Sequence, residues 1–231
     1  MTARPTKRLA LAALCGALAL LFAALGAWQV ERRAWKLDLI ARVDSRIHAA
    51  PVPAPVAWPS FDGAANEYRR VEASGRFRHD RETRVDALTE RGAGDWLMTP
   101  LVTAHGTILV NRGFVPKGQV KVARPDGPVT VRGLLRLTEP DGRVLRPNRP
   151  AENRWFSRDV AAIARARGLG TVAPYFIDAD STSNAGGLPV GGMTVVTFRN
   201  AHLSYALTWF ALSLLSLGGL VIVLRGAQER S

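Results

Sequence analysis

Two long runs without a charged residue constrain this chain more than any other feature. From Tyr205 to Leu224 there are 20 consecutive uncharged residues, most of them apolar, and Leu9 to Ala27 forms a second run of 19. At about 1.5 Å of helical rise per residue, each run spans about 30 Å, the thickness of bilayer hydrocarbon. Such runs have one stable backbone solution in lipid, the α-helix, because every amide must be satisfied within its own segment. The spans are predicted at residues 9–30 and 201–224, with tails at 1–8 and 225–231.

The first run is preceded by Arg4, Lys7 and Arg8, and Ala24-Leu25-Gly26 would serve as a leader cleavage site. The run is longer than the usual 7–15-residue leader core, and Trp28 and Gln29 close it as an interfacial anchor would. A retained anchor is therefore expected. Past Trp28 the residues Trp35, Leu39, Val43 and Ile47 recur every fourth position among charged neighbours. That spacing predicts an amphipathic helix over 31–50 continuing from the span. Pro51, Pro53 and Pro55 end it, and residues 51–67 read as a Pro-rich linker.

Residues 68–200 read as short strands divided by turn residues. Strands are expected at Val71–Phe77, Arg81–Leu88, Trp96–Thr103, Thr107–Val115, Val129–Leu137, Pro174–Asp178 and Met193–Arg199. Ala104-His105-Gly106 joins two of them as a hairpin, and Asp126-Gly127 and Asp141-Gly142 are further turns. One soluble helix is expected at Arg158–Arg167, stopped by Gly168. The fold class is α+β: two transmembrane helices flank a mainly antiparallel β domain, for which a partly closed barrel is one available form.

The net charge of +12 is carried mostly by arginine. Residues 31–204 hold 26 basic and 18 acidic side chains without a basic stripe interleaved with aromatics, so no nucleic-acid partner is expected. The basic excess suits an acidic protein surface or anionic headgroups. The one cysteine, Cys15, lies in the first apolar run, which rules out an intrachain disulfide or a paired-cysteine metal site. No nucleophile elbow, zinc-protease helix or phosphate loop is present. His48, His79 and His105 are isolated in sequence and expected in solvent, and the carboxylates read as a charge-balanced surface. An enzyme is not expected.

The two short tails are basic, which places both termini in the cytoplasm and the central domain in the periplasm of a bacterial inner membrane. Where the second span begins, His202, Tyr205 and Trp209 fall at i, i+3 and i+7, one face of a helix. Two readings stand on these residues alone. They form an ordinary aromatic belt with a partly solvated histidine, or an imidazole and two rings that ligate a flat hydrophobic cofactor.

Four ordered segments together resemble the surfeit locus protein 1 family of cytochrome c oxidase assembly factors. They are Leu25-Gly26-Ala27-Trp28-Gln29 with Arg33 and Lys36; Thr99-Pro100-Leu101 leading to Asn111-Arg112-Gly113-Phe114-Val115-Pro116; Pro147-Asn148-Arg149-Pro150 to Asn153-Arg154-Trp155-Phe156; and Arg199-Asn200-Ala201-His202 through Trp209. The family often has Trp where Phe114 stands. The resemblance implies a non-enzymatic factor that binds haem a and helps place it in oxidase subunit I, alongside the factors that make and deliver haem a. It implies His202 as the iron ligand, and Trp28 would join Tyr205 and Trp209 as pocket wall. Arg199, with Arg32 or Arg33, would pair with the propionates, since guanidinium holds carboxylate bidentately; contact with phospholipid headgroups is the competing role. The alternative function is a haem-independent scaffold that stabilises early oxidase subunits.

Overall fold

Eleven elements follow one another along the chain: α1 (Pro5–His48), β1 (Val52–Pro53), α2 (Gly63–Asn66), β2 (Arg70–Phe77), β3 (Thr83–Thr89), β4 (Gly92–Thr103), β5 (Gly106–Pro116), β6 (Pro128–Leu137), α3 (Val160–Arg167), β7 (Val172–Ala179) and α4 (His202–Gln228). This computed structural model describes residues 5–228 except Val144, Thr182, Ser183, Ala185, Val195, Thr197 and Arg199. The chain divides into two units, Met1–Arg42 with Thr197–Ser231, and Val43–Val196.

The first unit is an antiparallel pair formed by the apolar runs of α1 and α4. Water-driven burial does not hold helices together in lipid, so the contact needs close packing and interhelical hydrogen bonds. Small residues of α1 supply the close packing. Ala19 is buried, Gly16 faces Leu220, Gly26 faces Phe210, and Cys15 faces Gly219. Gly16 and Ala19 belong to the two small-residue pairs, Ala12/Gly16 and Ala19/Ala23, that the sequence offers for close approach. Ser213 Oγ donates to the Ala19 carbonyl at 2.8 Å, and the rings of Phe22 and Trp209 stack with centroids 5.6 Å apart. Both helices are long and apolar enough to cross a membrane, and only 11% and 6% of their apolar windows is buried. A core helix of a soluble domain would be mostly buried; these present their leucines outward, as lipid-facing helices do.

The second unit is built on a closed five-strand barrel. Around the circuit β2 pairs with β6, β6 with β7, β7 with β5, β5 with β4, and β4 with β2. Every pairing is antiparallel except β5 with β7. Period-two alternation explains the two cores on either side of the barrel wall. Ile108, Val110, Tyr175 and Ile177 point into the barrel with Val71, Val131 and Leu135. Leu109 and Phe176, one residue out of step, pack outside it with Val85, Met98, Trp155 and α3. With both faces of β5 and β7 covered, their sequences are almost continuously apolar.

Closure is narrow. Only Arg76 and Phe77 of β2 pair with Val102 and Leu101 of β4. A Cβ on Gly75 would lie 2.2 Å from the Val102 carbonyl oxygen, so the close approach of these strands requires glycine. Gly113 combines that restriction with a φ of +128°, and a Cβ there would lie 2.1 Å from the Val190 oxygen. Gly113→Ala is expected to cost more than about 2 kcal/mol, lowering the thermal unfolding midpoint of the full chain in detergent. An unchanged midpoint would contradict this geometry.

Helix α3 starts where the Asp159 side chain accepts from the Ala162 amide and stops at left-handed Gly168, as its sequence predicts. The other expected strands form, with residues 79–81 making a short turn before β3. The strand expected at Met193–Arg199 does not. Met193, Thr194, Val196 and Phe198 carry no strand pairing, while Val195, Thr197 and Arg199 lie outside the described residues. Just before it, Val190 meets Phe114 of β5 in a single bridge.

The Pro-rich stretch 51–67 carries β1 and α2. β1 runs parallel to β2, and Ala54, Trp58 and Phe61 join the barrel core. The Pro55 carbonyl accepts from Trp58 Nε1 at 2.8 Å and from the Tyr175 hydroxyl at 2.7 Å. Proline is tolerated because a two-residue edge strand needs few donors. Burial pushes the Tyr175 hydroxyl up to about 12, against a smaller opposing effect of Trp58.

Candidate functional site

His202 is the first residue of α4, and its Nδ1 lies 2.7 Å from Oε1 of Gln29 on α1. Gln29 is 9% exposed, so this contact is part of the interior of the helix pair. A side-chain carbonyl oxygen can only accept, so this contact is a hydrogen bond when the imidazole carries a proton on Nδ1. Nε2 makes no hydrogen bond among the described residues.

The other proposed site residues are distributed around this contact. Trp209, two turns along α4, is partly buried against Phe22. Tyr205 and Trp28 are 56% and 53% exposed, so neither is packed into the helix contact. The Arg32 guanidinium lies over the Trp35 ring, 3.9 Å from its centroid, and Arg33 is half-buried. Lys36 Nζ approaches the Phe198 ring at 5.1 Å. Arg199 lies outside the described residues. Two residues before His202, the Asn200 amide oxygen is buried and has no donor among the described residues. A buried acceptor of this kind suits a ligand bearing a hydroxyl or a protonated acid.

Gln29 is the participant that its sequence position did not announce, since it reads as the polar end of an apolar run. The available signal was its chemistry: an uncharged amide among residues with almost no polar groups.

The carboxylates of the second unit are not a solvated surface, because several are buried within arginine networks. Asp178, on β7, accepts from Asn111 Nδ2 at 2.7 Å, from Thr194 Oγ1 at 2.9 Å and from Arg158 at 3.0 Å. Arg158 also bridges to Glu139 and lies over the Phe176 ring. From Arg112, the residue after Asn111 on β5, a second network begins: Glu82 accepts from His79 Nδ1 at 2.9 Å, Thr99 Oγ1 at 3.2 Å and Arg112 at 3.3 Å. Burial lowers the pKa of the Arg112 guanidinium, and Glu82 opposes that. His79 is therefore a partly buried partner, with its Nε2 3.1 Å from the Pro125 carbonyl oxygen. His48 and His105 are exposed, as expected.

These networks account for most of the central motif residues without a ligand. Asn111 ties β5 to β7 and also accepts from the Gly113 amide. Asn148 accepts from the amides of Phe156 and Ser157. Asn153, left-handed at φ +51°, accepts from Trp155 Nε1. Among the described residues no three His, Cys, Asp or Glu side chains converge as a metal site. Iron held in a porphyrin needs one or two protein ligands, which one imidazole with a bare Nε2 can begin to supply.

Comparison with known proteins matches most of the chain to one family. Residues 16–214 match the SURF1 family. The chain is 41% identical over 212 residues to surfeit locus protein 1 of Homo sapiens, covering 82% of this chain and 69% of that protein. The same protein of Mus musculus is 40% identical, with 81% and 67% covered. A SURF1-like protein of Monosiga brevicollis is 34% identical, with 90% of this chain and 85% of that protein covered. With the match running from the first apolar helix through the barrel into the second, the chain belongs to the SURF1 family.

Proposed function

We propose that this chain is a membrane-anchored, non-catalytic assembly factor for cytochrome c oxidase that holds haem a at the head of the α1–α4 pair and aids its placement in oxidase subunit I. The observation that carries this reading is His202: its Nδ1 is engaged by buried Gln29, and its Nε2 makes no hydrogen bond among the described residues. The SURF1 family is known for oxidase assembly, which supports the coarser half of the proposal.

His202 would hold the iron, and Trp28, Tyr205 and Trp209 offer aromatic surface to the macrocycle. Arg32 and Arg33, with Arg199, would meet the propionates. Bound haem supplies an iron whose open coordination position an imidazole nitrogen can fill. The protein contributes the oriented ring, apolar surroundings that exclude water, and cations for the carboxylates. In this reading both termini are cytoplasmic and the barrel lies in the periplasm of the bacterial inner membrane, as the basic tails favour.

The test is the visible spectrum of the protein purified from cells that make haem a. A stoichiometric haem signal supports the proposal. Absence of haem, with subunit I still co-purifying, would replace it with the haem-independent scaffold. A periplasm-dependent reporter enzyme inserted after Ser183 should be active, and inactivity there would reverse the orientation.

A further inference from the structure

We infer that Gln29 is a positioning residue for His202: its side-chain carbonyl selects the Nδ1–H tautomer and fixes the ring, so that the Nε2 lone pair is the one presented to a metal. The aiming of Nε2 at haem rests on the function proposed above. The choice of tautomer does not, since it follows from the contact itself.

Neutral imidazole in water prefers to carry its proton on Nε2, which would leave Nδ1 as the ligating atom. Nδ1 lies close to the histidine's own backbone and is the more crowded nitrogen. The 2.7 Å contact with Gln29 Oε1 reverses that preference, because an amide oxygen offers Nδ1 only an acceptor. Gln29 is 9% exposed, so water does not compete effectively for its carbonyl. The same bond ties the first turn of α4 to α1, so ring rotation would break a buried hydrogen bond. Metal-bound histidines generally donate their second ring nitrogen to such a partner, and loss of the partner typically lowers metal affinity about 10–100-fold.

The alternative is that Gln29 serves only to join the helices. The two roles separate in signals that belong to the imidazole. In the metal-free full chain, labelled with 15N-histidine and held in detergent near pH 8, His202 should show a protonated Nδ1 and a bare Nε2. Gln29→Leu keeps the side chain's bulk and removes the acceptor. It should return the ring to the Nε2–H form and weaken haem a binding about 10–100-fold. Gln29→Glu restores an acceptor and should restore the Nδ1–H form. In the haem-loaded ferrous protein it should also raise the iron–imidazole stretching frequency and lower the reduction potential, since a carboxylate makes the ring a stronger donor.

A wild-type His202 found in the Nε2–H form overturns the inference, even if Gln29→Leu fails to fold. So does a Gln29→Leu protein with unchanged tautomer. If Gln29→Leu loses haem but Gln29→Glu leaves the iron–imidazole frequency unmoved, Gln29 is a structural tie alone. If the wild type binds no haem yet shows the Nδ1–H form, the haem proposal fails while the tautomer assignment stands.

Discussion

Substituting His202 with alanine is expected to lower haem a retention by more than about 100-fold, beyond the usual loss for removing a ligand's hydrogen-bonding partner. The aromatic and cationic groups remain, so weak association persists, but the iron has lost its nitrogen. Alanine also leaves the buried Gln29 carbonyl without a donor, which costs the helix pair about 1–3 kcal/mol. His202→Gln is the better control, since its amide can still donate to Gln29 but offers iron no imidazole. Both variants should lose the haem spectrum, and exogenous imidazole should partly restore it in the alanine variant. The barrel should melt as before, because it belongs to the other unit. A full haem signal in His202→Ala would remove this residue from the site.

The largest expected effect on stability is at Asp178. Its side chain is 3% exposed and receives Arg158, 13% exposed, together with Asn111 and Thr194. Asp178→Ala would take one of two carboxylate partners from each of Arg158 and Arg136, and would remove the acceptor of Asn111 and Thr194. Breaking a buried pair from one side typically costs about 3–5 kcal/mol. For a chain of this size that corresponds to a fall of about 10 °C or more in the unfolding midpoint. The exposed pair Arg149–Glu152 supplies the contrast: Arg149→Ala should move the midpoint by about 2 °C at most. If the two variants melt alike, the buried network is not what holds β7 in place.

Glu139, on the same network, has a pH dependence of defined sign. Burial pushes its carboxyl up, but the hydrogen bonds and charge of Arg158 prevail and hold it below its ordinary 4.5. A depressed native pKa contributes stability that is present above the ordinary value and fades as pH falls through the lower one. The unfolding midpoint should therefore decline below about pH 4 in wild type, and less steeply in Glu139→Gln.

Much of the architecture could be read from residue order because its elements announce themselves locally. The two uncharged runs, the β-rich stretch Thr107–Val115, the Ala104–His105 turn and the Gly168 stop are each properties of a few neighbouring residues. Circuit closure is not, since the meeting of Phe77 with Leu101 depends on a space that only Gly75 leaves open. Nor could proline spacing reveal that Pro55 serves as an acceptor for Trp58 and Tyr175. The candidate site was legible by the same rule. His202 stands out as the histidine at the head of an apolar run, whereas Gln29 acquires its role only when a distant helix sets an imidazole beside it.

The atoms joined at that point are 173 residues apart in the polypeptide. α1 leaves the ribosome before α4, with every barrel strand between them. A chain that stops short of α4 therefore holds Gln29 without its imidazole partner. The long separation means that this contact forms only once both helices are present.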